Sequence, residues 1–327
     1  YEGNPNQPLF ILDGFETTIE KVYDLNLNRI ESITLLKDAA AKAIYGSKAA
    51  NGVVVIETKR PISGNLRISY SGDLNVVAPD LTGYNLMNAA EKLDFEKERG
   101  MYYKYVIGAE TAQKIDLIYK QNFDNVVKGV DTYWLSKPLK TEIGTRHSFN
   151  IEGGDAVMRY MAGISYNNVS GVMKGSGRNI ASMNTTLSYT YKNLIFRNSL
   201  EYTRNWSENS PYGSFSQYVN LNQYYQPFDE NGNVIKIMGI NALGNVYNPL
   251  YNATLSTKSV SGYSEFTDNF NIDWIINSSL RARGRISFTR NENSSDLFYP
   301  SSHTMFNDYD AKIGRAHVWT PVTNHHL

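Results

Sequence analysis

The feature that most constrains this chain is a period-two alternation of apolar and polar residues that returns seven times between residues 66 and 289. Leu66, Ile68, Tyr70, Leu74 and Val76 alternate with Arg67, Ser69, Ser71, Asp73 and Asn75. The same reading holds for His147, Phe149 and Ile151, and for Met158, Tyr160, Ala162, Ile164 and Tyr166. It holds again for Met183, Thr185, Leu187, Tyr189 and Tyr191, and for Phe196, Leu200 and Tyr202. The last two runs are Phe266, Phe270, Ile272, Trp274 and Ile276, then Leu280, Ala282, Ile286 and Phe288. Period-two patterning predicts strands with one apolar and one polar face. Alternation alone does not say which face meets water, so a soluble sandwich and a membrane barrel both satisfy it.

The connections separate the two. Those at 153–157, 192–194 and 277–279 are minimal, whereas those at 78–145 and 205–262 are very long and the one at 174–180 is short. Numbered from Leu66, tight turns follow even strands and the long links follow odd ones. An outer-membrane barrel has this asymmetry, with short periplasmic turns and long outer loops. The runs are about ten residues, the length with which a tilted strand crosses a bilayer. Tyr70, Tyr166, Tyr189, Tyr191, Tyr202 and Trp274 lie near strand ends, where an interfacial girdle would put them. The row Arg281, Arg283, Arg285 is expected on the wet inner face, because a charge facing lipid at mid-depth costs about 2–4 kcal/mol.

Composition is consistent with this reading. The 327 residues carry no net charge, which leaves no electrostatic footprint for nucleic acid. There is no cysteine, so disulfides and cysteine-bound metals are excluded. No run of about 18 apolar residues would form a membrane helix. Tyrosine is abundant, with 24 residues, as expected of strands with a wetted face.

The first 60 residues read differently. Asp38 stands at an N-cap position ahead of the helix-forming run Ala39–Ala43, and Gly46 follows where a left-handed residue would end it. Asn51-Gly52 is a tight-turn pair. Val53-Val54-Val55-Ile56 is apolar without alternation, which predicts a strand covered on both faces, and Ile30, Ile33, Leu35 and Leu36 predict another. The result is a small α+β unit, ended by Arg60-Pro61-Ile62-Ser63-Gly64. Gly46-Ser47-Lys48 is not a phosphate loop, since Ala41 replaces the leading glycine and Ser47 separates glycine from lysine.

Here a family resemblance enters. LFILDG at Leu9–Gly14 (with Asp13 and Gly14), then LNRIESI at Leu27–Ile33, then LKDAAAKAIYGSKAANGVVVIETKR, closely resemble the plug domain of TonB-linked outer-membrane transporters of the SusC/RagA type. The resemblance runs over roughly residues 1–310. It implies a small α+β plug domain at 1–62, followed at 63–312 by antiparallel transmembrane β-barrel strands that make an incomplete barrel. Large plugged transporters use about 22 strands, three times the number visible here. The resemblance further implies an outer-membrane location and import of oligosaccharides or peptides. Its implied partners are the TonB–ExbB–ExbD complex, a SusD-like surface lipoprotein and outer-membrane lipid. It places the signal peptide and the TonB-contacting segment upstream of Tyr1. Within the same broad class, a siderophore or cobalamin receptor is the rival reading. A secreted soluble β-protein that binds glycans, and an adhesin without transport, are the others.

Catalytic chemistry is not indicated. There is no Gly-x-Ser-x-Gly elbow and no His-Glu-x-x-His, and His147 and His303 lack partners at ligand spacing. Neither catalytic residues, metal ligands nor a cofactor are expected. Asp229-Glu230-Asn231-Gly232-Asn233 reads as a turn rather than a calcium loop, because the twelfth-position ligand is missing. The loop at 205–262 offers Trp206, Tyr212, Phe215, Tyr218, Tyr224 and Tyr225 among amides. Such rings suit sugar or peptide capture, and equally suit packing of the loop on itself or on a partner. Residues 313–327 show neither period; Ile313–Thr323 reads as translated adapter sequence and is set aside as an artefactual tail.

Overall fold

The computed structural model describes residues 7–37, 43, 45–102, 109–307, 318–319 and 322–324. The expected helix from Asp38 to Tyr45 therefore lies outside the described residues but for Ala43 and Tyr45.

The chain opens with β1 (Leu9–Leu12) and β2 (Phe15–Thr17), joined by Asp13 and Gly14. Both turn residues have left-handed φ, 51° and 90°, the geometry of a two-residue hairpin. Helix α1 (Ile19–Asp24) follows, started by the Thr18 side chain, which accepts from the Lys21 amide. Then come β3 (Ile30–Leu36) and β4 (Val53–Thr58). The sheet order is β2-β1-β4-β3, with β4 parallel to β1 and antiparallel to β3. Central β4 is covered on both faces, as its unbroken apolar run requires. Val53 packs with Ile11 and Ala49 on one side, Ile56 with Leu12 and Leu25 on the other.

A second, larger sheet begins with β5 (Gly64–Val77). The link from β5 carries α2 (Ala89–Glu98) and α3 (Ala109–Val127). Four strands then follow in succession: β6 (Glu142–Gly154), β7 (Met158–Ser170), β8 (Gly177–Tyr191) and β9 (Leu194–Glu208). The next link carries α4 (Phe215–Val219), a hairpin of β10 (Ile237–Asn241) and β11 (Gly244–Tyr247), and α5 (Pro249–Asn252). Strands β12 (Lys258–Ile275) and β13 (Arg281–Phe298) complete the wall. Each of the seven long strands pairs antiparallel with the next, from β5 to β13, and the sheet is open.

Two expectations are corrected. The strands run 13 to 18 residues rather than about ten, because the ladder continues into polar sequence beyond the apolar band. The tail past residue 313, expected to carry no strand, contributes β14 (Val318–Trp319) and β15 (Val322–Asn324), both paired with β13. An open edge strand presents unpaired amides and carbonyls that bind any segment within reach.

The two faces of the wall are inverted relative to a soluble sheet. On the outer face Ile286 is 71% exposed, Leu74 70% and Ile164 58%. On the inner face Ser148 is 1% and Thr267 4% exposed, beneath the N-terminal unit. A sandwich core would bury the first set. Among the described residues no helix is long and apolar enough to cross a membrane, which says nothing of strands.

The two long links, 78–141 and 209–257, fold against each other at the end of the wall opposite the tight turns. Ala89, Leu93 and Ile118 from the first share one core with Tyr218, Tyr224, Met238 and Leu250 from the second, around fully buried Trp134. The Trp134 indole donates to the Asn222 carbonyl at 3.0 Å. Glu96 of α2 is buried here. It accepts from the Tyr102 hydroxyl at 2.7 Å and the Tyr224 hydroxyl at 3.0 Å, which satisfies a carboxylate removed from water. Burial, with Glu96 alongside, pushes both phenols well above the ordinary tyrosine range.

Candidate functional site

The N-terminal unit sits against the polar face of the wall, and the contact between them is built from charge. Helix α1 ends at Asp24, whose side chain is 3% exposed. Its carboxylate accepts from Arg178 of β8 at 2.6 Å, from Asn205 of β9 at 3.2 Å and from the Tyr263 hydroxyl of β12. One turn earlier, Lys21 pairs with Glu265 and donates to Thr267 Oγ1 at 3.0 Å. Arg29, just before β3, meets Glu201 of β9 at 2.7 Å, with both side chains largely buried. Between them Asn26 donates to Ser148 of β6 at 2.7 Å, and Asn28 to Ser71 of β5 at 2.8 Å.

Local sequence sets this up. The Thr18 cap starts a helix only six residues long, so Lys21 and Asp24 fall on one side of it at i, i+3. The Asn26 side chain accepts the Asn28 amide and turns the chain, leaving its own amide free to reach Ser148. The wall presents Arg178, Glu201, Thr203, Asn205, Tyr263 and Glu265 because the period-two alternation puts them all on one face. An interface of this kind is specific rather than greasy. Burying paired charges gains little net stability, but separating them strands a charge.

The sequence-predicted residues fare unequally. Asp13 accepts from the Thr58 amide at 2.8 Å and the Thr58 hydroxyl at 2.7 Å, tying the β1–β2 turn to the end of β4. A side chain on Gly14 would overlap the Arg285 guanidinium of β13, so the arginine row faces this unit as expected. Gly46 and Gly52 both take left-handed φ, 65° and 89°, and the Asn51 amide reaches the Gln7 carbonyl at 3.4 Å. Asp38 lies outside the described residues.

The loop aromatics divide between capture and packing of the loop on itself. Tyr218, Tyr224 and Tyr225 are 0%, 2% and 4% exposed and form the core between the two links. Aromatic and amide composition is the same for a binding surface and for a wet-rimmed core, so the sequence could not separate them. Trp206 belongs to β9, not to the loop, and its ring stands beside Tyr166 of the outer face, 6.2 Å between centroids. Tyr212 and Phe215 remain half-buried; Phe215 meets Tyr84 edge-on and the Lys174 ammonium lies over Tyr212. Asp229 is spent on its own turn, accepting from the Asn231 and Asn233 amides. Among the described residues no group of His, Asp and Glu could hold a metal ion. The unit-to-wall contacts were missed by sequence reasoning, because α1 and the polar faces of β8, β9 and β12 are over 150 residues apart in the chain; the charges on the polar face were the available signal.

Comparison with known proteins agrees with this architecture. The model for the TonB-dependent Receptor Plug Domain matches residues 2–53. The TonB-dependent receptor SusC of Bacteroides thetaiotaomicron is 28% identical over 201 residues, 58% of this chain and 18% of the relative. The TonB-dependent receptor P39 of Formosa agariphila is 25% identical over 209 residues, 59% of this chain and 17% of the relative. The chain thus spans under a fifth of the length of these curated relatives. Among solved structures, the RagAB peptide importer in its closed-closed state superimposes with a TM-score of 0.70 at 23% identity, over 94% of this chain and 36% of that one. The RagAB peptide transporter gives 0.71, and both likenesses concern the fold. A plug-domain match on the N-terminal unit and SusC-like sequence, with a wall that follows the RagAB fold, support reading this chain as part of a TonB-dependent receptor of the SusC/RagA type.

Proposed function

We propose that the complete protein is an outer-membrane importer of large nutrients, oligosaccharides or peptides, driven through TonB–ExbB–ExbD and covered at its loop end by a SusD-like lipoprotein. One observation carries this reading: an apolar face lies open on one side of the wall while a charge-seated unit occupies the polar other side. Lipid meets the first face; the second lines a lumen that the unit closes. Residues 1–62 form the rear of the plug and 63–312 the first barrel strands, with the two long links outside the cell and 313–327 foreign to the protein. RagAB is a peptide importer, which favours the peptide arm. Receptors of this family carry cargo and do no chemistry on it. Of the loop aromatics, Tyr212 and Phe215 keep ring surface for cargo or lipoprotein.

The test is growth of the native host, with and without the complete gene, on oligosaccharides or on peptides as the limiting nutrient, in tonB-intact and tonB-deleted backgrounds. Loss of growth on one class in both the gene deletion and the tonB deletion is expected. Growth that survives both deletions on every nutrient rules the reading out.

A further inference from the structure

At the tight-turn end of the wall, a cavity of about 190 Å³ lies between the wall and the N-terminal unit. Five cationic side chains line it against three carboxylates, an excess of two positive charges. Arg197 of β9, Asn271 of β12 and Arg285 of β13 stand in a single row across three adjacent strands, with Asn271 paired in register to both arginines. Neighbouring strands are ~4.8 Å apart, so the two arginine backbones flank a gap of roughly 9–10 Å. Arg60 approaches the same space from the N-terminal unit.

The carboxylates that line the cavity are already engaged. Asp273 accepts from Arg283 Nε at 2.5 Å, Asp13 is held by Thr58, and Glu57 by Ser32 at 3.5 Å. Arg60, Arg197 and Arg285 have no hydrogen-bonded or ion-paired partner among the described residues, and Arg197 Nε is buried with nothing to donate to. The Arg285 guanidinium lies over Gly14. Outside the Arg283–Asp273 pair, four cations line the cavity with two carboxylates, Asp13 and Glu57, and an added anion would offset the excess positive charge. Their planar, multi-donor forks match the oxygens of carboxylate, phosphate and sulfate.

We propose that Arg197, Arg285 and Arg60, with Asn271, form an oxyanion-binding site between the N-terminal unit and the wall. The anion bridges the two, so the site belongs to the seated state of the unit. The site stands on geometry alone and does not depend on which nutrient is imported. Its occupant is either a free inorganic anion or an acidic group carried on cargo.

The experiment titrates the complete purified receptor in detergent, by calorimetry, with inorganic phosphate and separately with glucuronate. Saturable phosphate binding is expected in the wild type, weakened at least tenfold in Arg197→Gln/Arg285→Gln and severalfold in Arg60→Gln. Arg281→Gln, on the same face beyond Arg283 and outside the cavity, should bind as the wild type does. Glucuronate that competes with phosphate assigns the site to acidic cargo; phosphate binding without competition assigns it to a free ion. Heat-modifiable migration on gels verifies that each variant is folded. Should the double variant misfold, exposed Arg60→Gln alone decides. Absence of phosphate binding to the wild type, or equal binding in the folded arginine variants, overturns the site, whatever the growth experiment returns.

Discussion

Replacing Asp24 by alanine removes the acceptor shared by Arg178, Asn205 and Tyr263. Breaking a buried pair by deleting one partner costs about 3–5 kcal/mol, because the other charge stays behind. Arg178 keeps 35% of its side chain exposed, so water reaches the stranded guanidinium and the lower end, about 3 kcal/mol, applies. At about 1.4 kcal/mol per factor of ten, the unseated population of the N-terminal unit rises roughly a hundredfold. Ser148 offers the reporter: it is 1% exposed beneath the unit, and the chain contains no cysteine. In a Ser148→Cys background with any cysteine elsewhere in the complete receptor replaced, maleimide labelling proceeds through unseating, so Asp24→Ala should label roughly a hundredfold faster. Asp24→Asn keeps the shape and one acceptor oxygen and should fall between. Glu16→Ala breaks an exposed pair with Lys48, worth about 0–1 kcal/mol, and should label within a few-fold of the parent. If Asp24→Ala labels within twofold of the parent, the charge-seated interface is not what holds the unit in place.

Four further outcomes are expected. Ile286→Arg puts a charge on the outer face at a cost of about 2–4 kcal/mol and should abolish heat-modifiable assembly in the outer membrane, while Arg281→Gln on the inner face should not; the opposite ranking would reverse the faces. Trp134→Ala empties the core shared by the two links at a cost of about 3–5 kcal/mol, and limited proteolysis should cut within 78–141 and 209–257 while the strands stay protected. Gly52→Val forces a β-branched residue to a φ of 89°, with its Cβ 3.1 Å from the Leu36 carbonyl oxygen, inside ordinary van der Waals contact, and should lower the urea midpoint of the N-terminal unit by about 1 M or more. The Met158 and Val157 amides hold the Asp155 carboxyl below the usual carboxylate range. A depressed folded pKa stabilises above the unfolded value and is lost as pH falls through the folded one, so amide protection at this turn, taken relative to the intrinsic exchange rate at each pH, should stay level from neutrality to about pH 4 and fall only below it.

Much of the wall was legible because its information is local. Leu66 to Val76 and Phe266 to Ile276 announce strands by period two, and two residues between Tyr191 and Leu194 leave room only for a hairpin. The arginine row at 281–285 told which side was wet, since lipid would not accept three charges together. The N-terminal sheet was legible from Val53–Ile56, whose unbroken apolar run needs cover on both faces. What stayed hidden depends on contacts distant in sequence. Nothing around Glu96 says that Tyr224, 128 residues later, will bury it. Nothing around Asp24 says that strands at Arg178 and Tyr263 will converge there. Trp206 was misplaced because polar sequence near Asn205 and Ser207 hid the continuing ladder, in which Trp206 pairs with Gly262.

The common interior of the two long links has a mechanical consequence. The short β7–β8 link is stitched to them as well: the Lys174 ammonium holds the Lys137 carbonyl, and the Ser210 hydroxyl holds the Lys174 carbonyl. The tops of three successive hairpins are therefore splinted into a single rim, so none can swing without carrying the others. Curvature along that rim is fixed across the six strands it joins at once, which makes it a template against which neighbouring strands can be laid.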